Sequence, residues 1–129
     1  MPRFLTDTHA LIWWWNDDDR LSDTARAIMA DRDNEIFASC VNAWEIANKV
    51  RLGKLPEMAP HIASYGPLVT ENGFTHLDLH HDHALAAGLL TGDRRDPFDR
   101  LLAAQALKER LVVVTRDREI AAFGCEVIW

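Results

Sequence analysis

The sequence predicts an α/β fold in which helices cover both faces of a parallel β-sheet. Two observations carry this prediction. Short strand-like runs alternate with helix-like runs along the whole chain, which is the order that βαβ units produce. One of the strand-like runs, residues 111–115, is almost wholly apolar, as expected for a strand buried on both faces. No repeat, low-complexity tract or linker interrupts the alternation.

The strand-like runs can be placed from their apolar and β-branched residues. The first ends immediately before Asp7, and the last is expected at an edge of the sheet. The predicted strands are residues 3–6, 35–39, 74–79, 111–115 and 126–129.

The helix-like runs have recognisable ends. Ser22 is a favourable N-cap and Gly53 is a C-cap signal. The pair Asp96-Pro97 is a strong helix start, because proline suits the first helical position. The predicted helices are residues 8–15, 22–32, 41–52, 59–69, 82–90, 96–110 and 117–122, of which 59–69 has the weakest pattern.

The composition is that of one soluble domain, which we expect to comprise residues 1–129. Of the 129 residues, 48% are hydrophobic and 26% are charged. The longest apolar run, residues 10–15, is far too short to span a membrane, and the N-terminus lacks the apolar stretch of a signal peptide. Cys40 and Cys125 have no metal-binding spacing, so we expect two reduced thiols in a cytoplasmic protein.

The net charge of −6 argues against a protein that coats nucleic acid through charge alone. It does not argue against a nuclease, since carboxylates gathered to hold a metal count toward that total. The 14 basic residues comprise 11 arginines and 3 lysines. Arginine presents a planar fork that suits phosphate, so a local basic rim is compatible with an acidic molecule.

Four acidic residues are predicted at the carboxyl edge of the sheet. Asp7 follows the first strand, and Asp117 lies two residues beyond the fourth. Glu45 lies in the first turns of the helix that leaves the second strand. Asp99 lies in the first turn of the helix that enters the fourth strand, and such a helix begins at the carboxyl edge. Ligands bind at this edge in parallel α/β sheets.

Carboxylates that converge need a compensating cation or raised pKa values. Two of them about 5 Å apart repel by roughly 3 kcal/mol at an effective dielectric near 20. Oxygen ligands without cysteine favour Mg²⁺ or Mn²⁺. A divalent ion held by carboxylates activates water and aligns a scissile phosphodiester. The four acids therefore predict a metal site for phosphodiester hydrolysis.

Each acid also has a purely structural interpretation. Asp7 and Asp117 can cap the helices that follow them, and Asp99 suits the dipole of its helix. Glu45 can pair with Lys49 one turn later, although both lie with Asn42 on a polar stripe that could line a cleft. The metal-site hypothesis depends on the four acids lying together.

Four segments of the chain form a recognisable set, at residues 5–11 (LTDTHAL), 41–49 (VNAWEIANK), 96–106 (DPFDRLLAAQA) and 114–117 (VTRD). Together they resemble PIN-domain proteins, and within that family toxins of the VapC type. The resemblance covers nearly the whole chain, and its most specific part is the segment that begins at Asp96.

The resemblance implies a three-layer α/β/α sandwich around a parallel sheet of four to five strands. It implies an endoribonuclease toxin that uses Mg²⁺ or Mn²⁺ to cleave RNA with metal-activated water, as a homodimer inhibited by a cognate antitoxin. Carried over by position, the catalytic and metal-binding acids are Asp7, Glu45, Asp99 and Asp117. Asp96 and Thr115 match supporting positions. Arg95 stands where similar toxins often have histidine, which bears on phosphate contact or RNA choice.

Other polar and aromatic groups remain open to more than one interpretation. Of the consecutive residues Trp13, Trp14 and Trp15, we expect two in the core and one partly exposed, in a groove for a partner helix if it has a function. A histidine-rich segment at residues 78–83 is expected to be a polar loop entering a helix rather than a zinc site. Arg94 and Arg95 fit phosphate contacts and solvated loop charges equally well.

Two other functions are compatible with parts of the pattern. An aspartyl-phosphate phosphatase also places an aspartate after its first strand, but it needs a second acid two residues later, where this chain has His9. A non-catalytic or regulatory PIN-like RNA-binding module would have the same fold with a decayed site. The presence of all four acids disfavours that alternative.

Overall fold

The computed structural model describes residues 2–129, which contain a five-stranded parallel sheet in the order β3-β2-β1-β4-β5. Every pair of neighbouring strands is parallel, and β5 lies at an edge as predicted. The strands are β1 (Arg3–Thr6), β2 (Glu35–Ser39), β3 (Thr75–Leu77), β4 (Val112–Val114) and β5 (Val127–Ile128). The first two have the predicted bounds, and the others are shorter at their ends.

Within residues 2–129, seven α-helices connect or flank the strands. They are α1 (Thr8–Trp15), α2 (Asp23–Ala30), α3 (Cys40–Arg51), α4 (Tyr65–Glu71), α5 (His81–Leu89), α6 (Pro97–Glu109) and α7 (Arg118–Ala122). The weak helix predicted at residues 59–69 is instead a 3₁₀ helix, Pro56–Ser64, followed by α4. Pro60 explains the difference, since proline has no amide hydrogen to extend an α-helical ladder.

The two faces of the sheet pack against separate hydrophobic clusters. Alternate residues of β2 point to opposite sides, with Ile36 in one cluster and Phe37 in the other. The first cluster includes residues of α1, α2 and α3, such as Leu11 and Ile46. The second is built mainly on α6, including Leu102. This is the three-layer α/β/α sandwich that the sequence predicted.

The three consecutive tryptophans of α1 are distributed differently from the prediction. Trp13 is buried, but Trp14 and Trp15 are both half-buried and pack against the first cluster. The indole NH of Trp14 donates to Oδ1 of Asn72 at 3.0 Å, and Trp15 packs edge-on against Tyr65. The prediction of two core tryptophans was therefore wrong, since Trp13 is buried but Trp14 and Trp15 are not. The reason is that α4 and its flanking residues cover the rings of Trp14 and Trp15 only in part.

Within residues 2–129, the structure has no helix with both the length and the apolar character that crossing a membrane requires.

Candidate active site

The four acids predicted from the sequence line one cavity of about 170 Å³ at the carboxyl edge of the sheet. Each comes from a different part of the chain: the β1–α1 junction, α3, α6 and the β4–α7 junction. Parallel strands bring these junctions to a common edge. The lining acids are Asp7, Glu45, Asp96, Asp99 and Asp117.

Asp7 is the most deeply held of these acids, with 7% of its surface exposed. One carboxylate oxygen accepts a hydrogen bond from the amide of Ala10 at 2.7 Å, so Asp7 caps α1 as well as lining the cavity. The other oxygen accepts from the hydroxyl of Thr115. Burial raises the pKa of Asp7 above its ordinary value, although these two hydrogen bonds act in the opposite direction.

Thr115 connects the first acid to the fourth. Its hydroxyl oxygen accepts from the backbone amide of Asp117 at 3.0 Å while donating to Asp7. Asp117 in turn caps α7 by accepting from the amide of Glu119 at 2.9 Å. A single buried hydroxyl therefore fixes the relative positions of two carboxylates.

Glu45 is held by a chain of polar groups from two helices. The hydroxyl of Thr8 donates to Oε1 of Glu45 at 2.6 Å, and the side-chain amide of Asn42 donates to that hydroxyl at 3.0 Å. Asn42 is itself fully buried and accepts from the amide of Ser39, which closes the capping box of α3. Burial raises the pKa of Glu45, and the nearby charges of Asp96 and Asp99 act in the same direction.

The start of α6 contributes two carboxylates with different roles. Asp96 is the N-cap, and its side chain accepts from the amides of Phe98 at 2.9 Å and Asp99 at 3.4 Å. Asp99 projects into the cavity with 16% of its side chain exposed. Burial raises the pKa of Asp99, and hydrogen bonding from Arg94 opposes that rise.

The guanidinium of Arg94 enters the acid cluster from the loop before α6. It pairs with Asp99 and Glu119, and its Nη2 lies 3.5 Å from Oδ2 of Asp117. The hydrogen bond to Asp99 raises the pKa of Arg94, and the charges of Asp99, Asp117 and Asp96 act in the same direction. Arg100 holds the same loop, donating to the carbonyl of Arg94 at 3.0 Å.

The donor set of the cavity fits a hard divalent cation, since it consists of carboxylate oxygens with no sulfur. In residues 2–129, however, no three His, Cys, Asp or Glu side chains are grouped closely enough to hold a metal ion as they stand. Arg94 supplies a positive charge between Asp99 and Asp117. A cation at Asp99 and Asp117 would therefore compete with the guanidinium of Arg94 for these carboxylates.

Two residues near the acids were not recognised from the sequence: Thr8 is a buried partner of Glu45, and His9 lines the cavity beside Asp7. The polar stripe of α3 that the sequence indicated lies beside the site, since Lys49 lines the cavity and Asn42 donates to Thr8. Arg95 is exposed outside the acid cavity, so of the two neighbouring arginines only Arg94 reaches the acids.

The histidine-rich segment has a structural role. His83 is buried, its Nδ1 accepts from the amide of His80 at 3.0 Å, and its Nε2 lies 2.9 Å from Oε1 of Glu109. These contacts close the start of α5 and tie it to the end of α6. The expectation of a polar loop entering a helix describes this segment correctly.

The fold and this site define a class of protein, and comparison with known families agrees. The chain belongs to the PIN domain family, whose model matches residues 4–124. A stretch of 59 residues is 46% identical to Ribonuclease VapC16 from Mycobacterium tuberculosis. That match covers 45% of this chain and 41% of the length of the relative.

Several solved structures share the fold. VapBC2 from Rickettsia felis, bound to a DNA fragment from its promoter, matches with a TM-score of 0.73 and 16% identity over 98% of this chain and 97% of that one. FitAcB from Neisseria gonorrhoeae matches with a TM-score of 0.70 and 18% identity over 98% and 96%. A toxin–antitoxin complex from Klebsiella pneumoniae matches with a TM-score of 0.62 and 18% identity over 98% and 96%.

Proposed function

We propose that this chain is a metal-dependent endoribonuclease, and the toxin of a toxin–antitoxin pair. The observation that carries the proposal is the convergence of Asp7, Glu45, Asp99 and Asp117 on one cavity from four separate parts of the chain. The local likeness to a mycobacterial ribonuclease supports RNA as the substrate. In this proposal residues 1–129 act as one nuclease domain, and an RNA substrate places the activity in the cytoplasm.

The acids of the cavity would have two tasks in RNA cleavage. Asp7, Asp99 and Asp117 would hold Mg²⁺ or Mn²⁺, while Glu45, fixed by Thr8, would bind the ion or orient water. A divalent ion bound here would supply activated water at neutral pH and offset charge on the phosphate. Lys49 lines the same cavity and can pair with a substrate phosphate.

An antitoxin partner is supported by an apolar surface next to the acids. Trp44 is 53% exposed and stacks on Phe98 with ring centroids 4.6 Å apart, and Leu52 beside them is 49% exposed. Large exposed aromatic side chains are typical anchors of protein interfaces. We propose that an antitoxin segment covers this patch and directs a basic side chain into the acid cavity.

Self-association is proposed on a different surface. Leu85 and Leu89 of α5 are 64% and 82% exposed, which places two large apolar side chains in solvent on one helix. A second copy of the chain would bury them, as is common in isologous dimers. Sedimentation of the isolated chain, with Leu85→Lys and Leu89→Lys as interface variants, tests the homodimer.

The nuclease proposal is tested with purified protein and total RNA. We expect cleavage in millimolar Mg²⁺ or Mn²⁺, none in EDTA, and a loss of two or more orders of magnitude in the Asp99→Asn variant. Equal cleavage with and without metal would contradict the metal-dependent mechanism. Absence of cleavage by the folded wild type in either metal would contradict the nuclease proposal itself.

A further inference from the structure

A second cavity, of about 460 Å³, opens beside the acid cavity and has the opposite character. It is lined by Arg20, Arg116 and Arg118, together with His9 and Trp13, and we call it the arginine cleft. It shares Asp7, His9 and Asp117 with the acid cavity. The two cavities are therefore contiguous on either side of the same carboxylates.

Besides the carboxylates of Asp7 and Asp117, the arginine cleft contains two arginines that form no ion pair within residues 2–129. Arg20 is bonded through two guanidinium nitrogens to Asp18, at 3.0 and 2.6 Å. Within residues 2–129, neither Arg116 nor Arg118 has a side-chain hydrogen bond or an ion pair, and both are exposed. Both guanidinium groups are therefore available to bind an anionic ligand.

The indole of Trp13 orders the cleft. The guanidinium carbons of Arg116 and Arg20 lie 4.5 and 4.9 Å from the centroid of its ring. Trp13 is only 5% exposed and packs edge-on against Trp129, so its own position is fixed by the core. A cation on the face of a buried indole is attracted to the ring and loses less freedom when it binds a ligand.

From this juxtaposition we propose that the arginine cleft binds the phosphodiester backbone of RNA next to the phosphate that lies at the acid cavity. The inference rests on the proposed nuclease function and names a binding subsite for its substrate. A strand with one phosphate at Asp7 and Asp117 continues directly into a cavity that shares those residues. The planar guanidinium group of arginine can donate two hydrogen bonds to phosphate oxygens. Its positive charge also offsets the repulsion between the RNA strand and the acids.

The chemistry of the cleft favours backbone contacts over recognition of bases. Its charged groups bind phosphate, and phosphate contacts position a strand without reading its sequence. The ring of Trp13 is covered and therefore does not offer a stacking face to a base. The cleft is expected to contribute binding of similar strength for RNAs of different sequence.

The test measures binding of a fluorescein-labelled, mixed-sequence 20-nucleotide RNA by anisotropy in EDTA, where binding is separated from cleavage. We expect Arg116→Gln and Arg118→Gln each to weaken binding about 5-fold, and the double variant roughly 25-fold. The slope of log K against log salt should become shallower by about 0.7 for each arginine removed. Arg116→Lys should restore most of the salt dependence because it keeps the charge.

Arg110→Gln is the matched control. Arg110 is exposed and precedes β4, so it lies at the amino edge of the sheet, and its removal should leave affinity and salt slope unchanged. Melting curves verify the fold of each variant. Arg118 has no side-chain partner in residues 2–129, so its variant remains informative even if Arg116→Gln perturbs packing on Trp13.

Three results would overturn the inference. These are no RNA binding by the wild type at low salt, unchanged binding in both arginine variants, or poly-glutamate binding as tight as RNA binding and equally sensitive to the substitutions. The last would assign the cleft to an acidic peptide.

In cleavage assays with Mn²⁺, Arg116→Gln should raise KM about 5-fold and leave kcat unchanged. A wild type that binds RNA in EDTA but never cleaves it would contradict the nuclease proposal and leave the cleft intact.

Discussion

The amino and carboxyl edges of the sheet differ in how their charged residues are paired. At the amino edge, Arg3 lies 3.3 Å from Glu35 and also donates to the carbonyl of Glu109 at 2.9 Å, with both side chains of the pair well exposed. At the carboxyl edge, several carboxylates crowd one cavity around the single guanidinium of Arg94. The Arg3–Glu35 pair is matched and partly exposed, whereas the acid cavity has more carboxylates than cationic groups, and Asp7 among them is buried.

The difference shows what each set of charges does for the protein. An exposed pair such as Arg3–Glu35 contributes at most about 1 kcal/mol. At the carboxyl edge, burial raises the pKa values of Asp7 and Asp99, which means that folding disfavours their ionised forms. Hydrogen bonds from fixed groups such as Thr115 hold them in position. Such an arrangement serves binding of a cation better than it serves stability.

The largest expected effect is on RNA cleavage. Asp99→Asn should lower kcat by two to four orders of magnitude in Mn²⁺, because the barrier loses several kcal/mol of stabilisation, on the order of 3 to 5. Glu35→Gln, at the other edge, should leave kcat unchanged. Initial rates on a labelled RNA measure both variants, and equal loss in the two would remove the distinction between the edges.

The next effect concerns metal affinity and Arg94. Arg94→Gln should bind Mn²⁺ about 10-fold more tightly than the wild type, because the ion no longer competes with a guanidinium for Asp99 and Asp117. Isothermal titration calorimetry measures the affinity without any substrate. Arg3→Gln serves as the control from the amino edge, and equal affinities in all three proteins would show that Arg94 does not compete.

Metal should also stabilise the fold. At 100 times its Kd, Mn²⁺ should add about 2.7 kcal/mol to the free energy of unfolding of the wild type. Asp7→Asn should respond much less, because Asp7 lines the cavity where the ion would bind. Thermal melts with Mn²⁺ and with EDTA give the comparison. A wild type that melts at the same temperature in both would argue that the acids are only helix caps.

The smallest effect is on the stability of the metal-free protein. An asparagine at position 7 keeps an oxygen to accept from Ala10, so Asp7→Asn should preserve the cap of α1 and relieve charge. We expect its free energy of unfolding in EDTA at pH 7 to be unchanged or to rise by about 1 kcal/mol. Glu35→Gln should instead lose up to about 1 kcal/mol.

The pH dependence has a definite sign. Because the pKa of Asp7 is raised from 3.8 in the fold, the folded protein retains a proton that the unfolded chain has lost, so stability falls as pH rises through the folded pKa. Asp7→Asn should show a smaller fall over that range. Chemical denaturation between pH 4 and pH 8 measures the difference, and parallel curves would exclude a contribution from Asp7.

Much of the fold was accessible to sequence reasoning because the helix starts are encoded locally. Ser22 and Asp96 cap α2 and α6 as predicted, and the parallel order of the strands follows from their alternation with helices. The helix-cap interpretation of Asp7 and its predicted place in the acid cluster are compatible, since the same carboxylate caps α1 and lines the cavity. Helix capping and site formation both use the junction that follows a parallel strand.

The side-chain positions that were not predicted from the sequence depend on contacts with other segments of the chain. Periodicity places Asn42 on a polar stripe of its helix. It cannot show that the side chain of Asn42 is buried and donates to the hydroxyl of Thr8, 34 residues away. The direction of Arg94 is set by a loop that Arg100 anchors, and loops of this kind have no repeating pattern to read. Trp14 and Trp15 depend in the same way on α4 and its neighbours.

The hydroxyl of Thr8 has a consequence for how such a gene would change under selection. If the chain arrests its host, surviving cells carry lesions in it, and a screen for survivors samples every position on which Glu45 depends. Thr8 donates to Glu45 and accepts from Asn42, so Thr8→Val would leave the acids in the sequence and misplace one of them. Escape alleles at Thr8, Asn42 and Thr115 should therefore accumulate beside those at the acids, and an inventory of acidic residues alone would classify such inactive copies as intact.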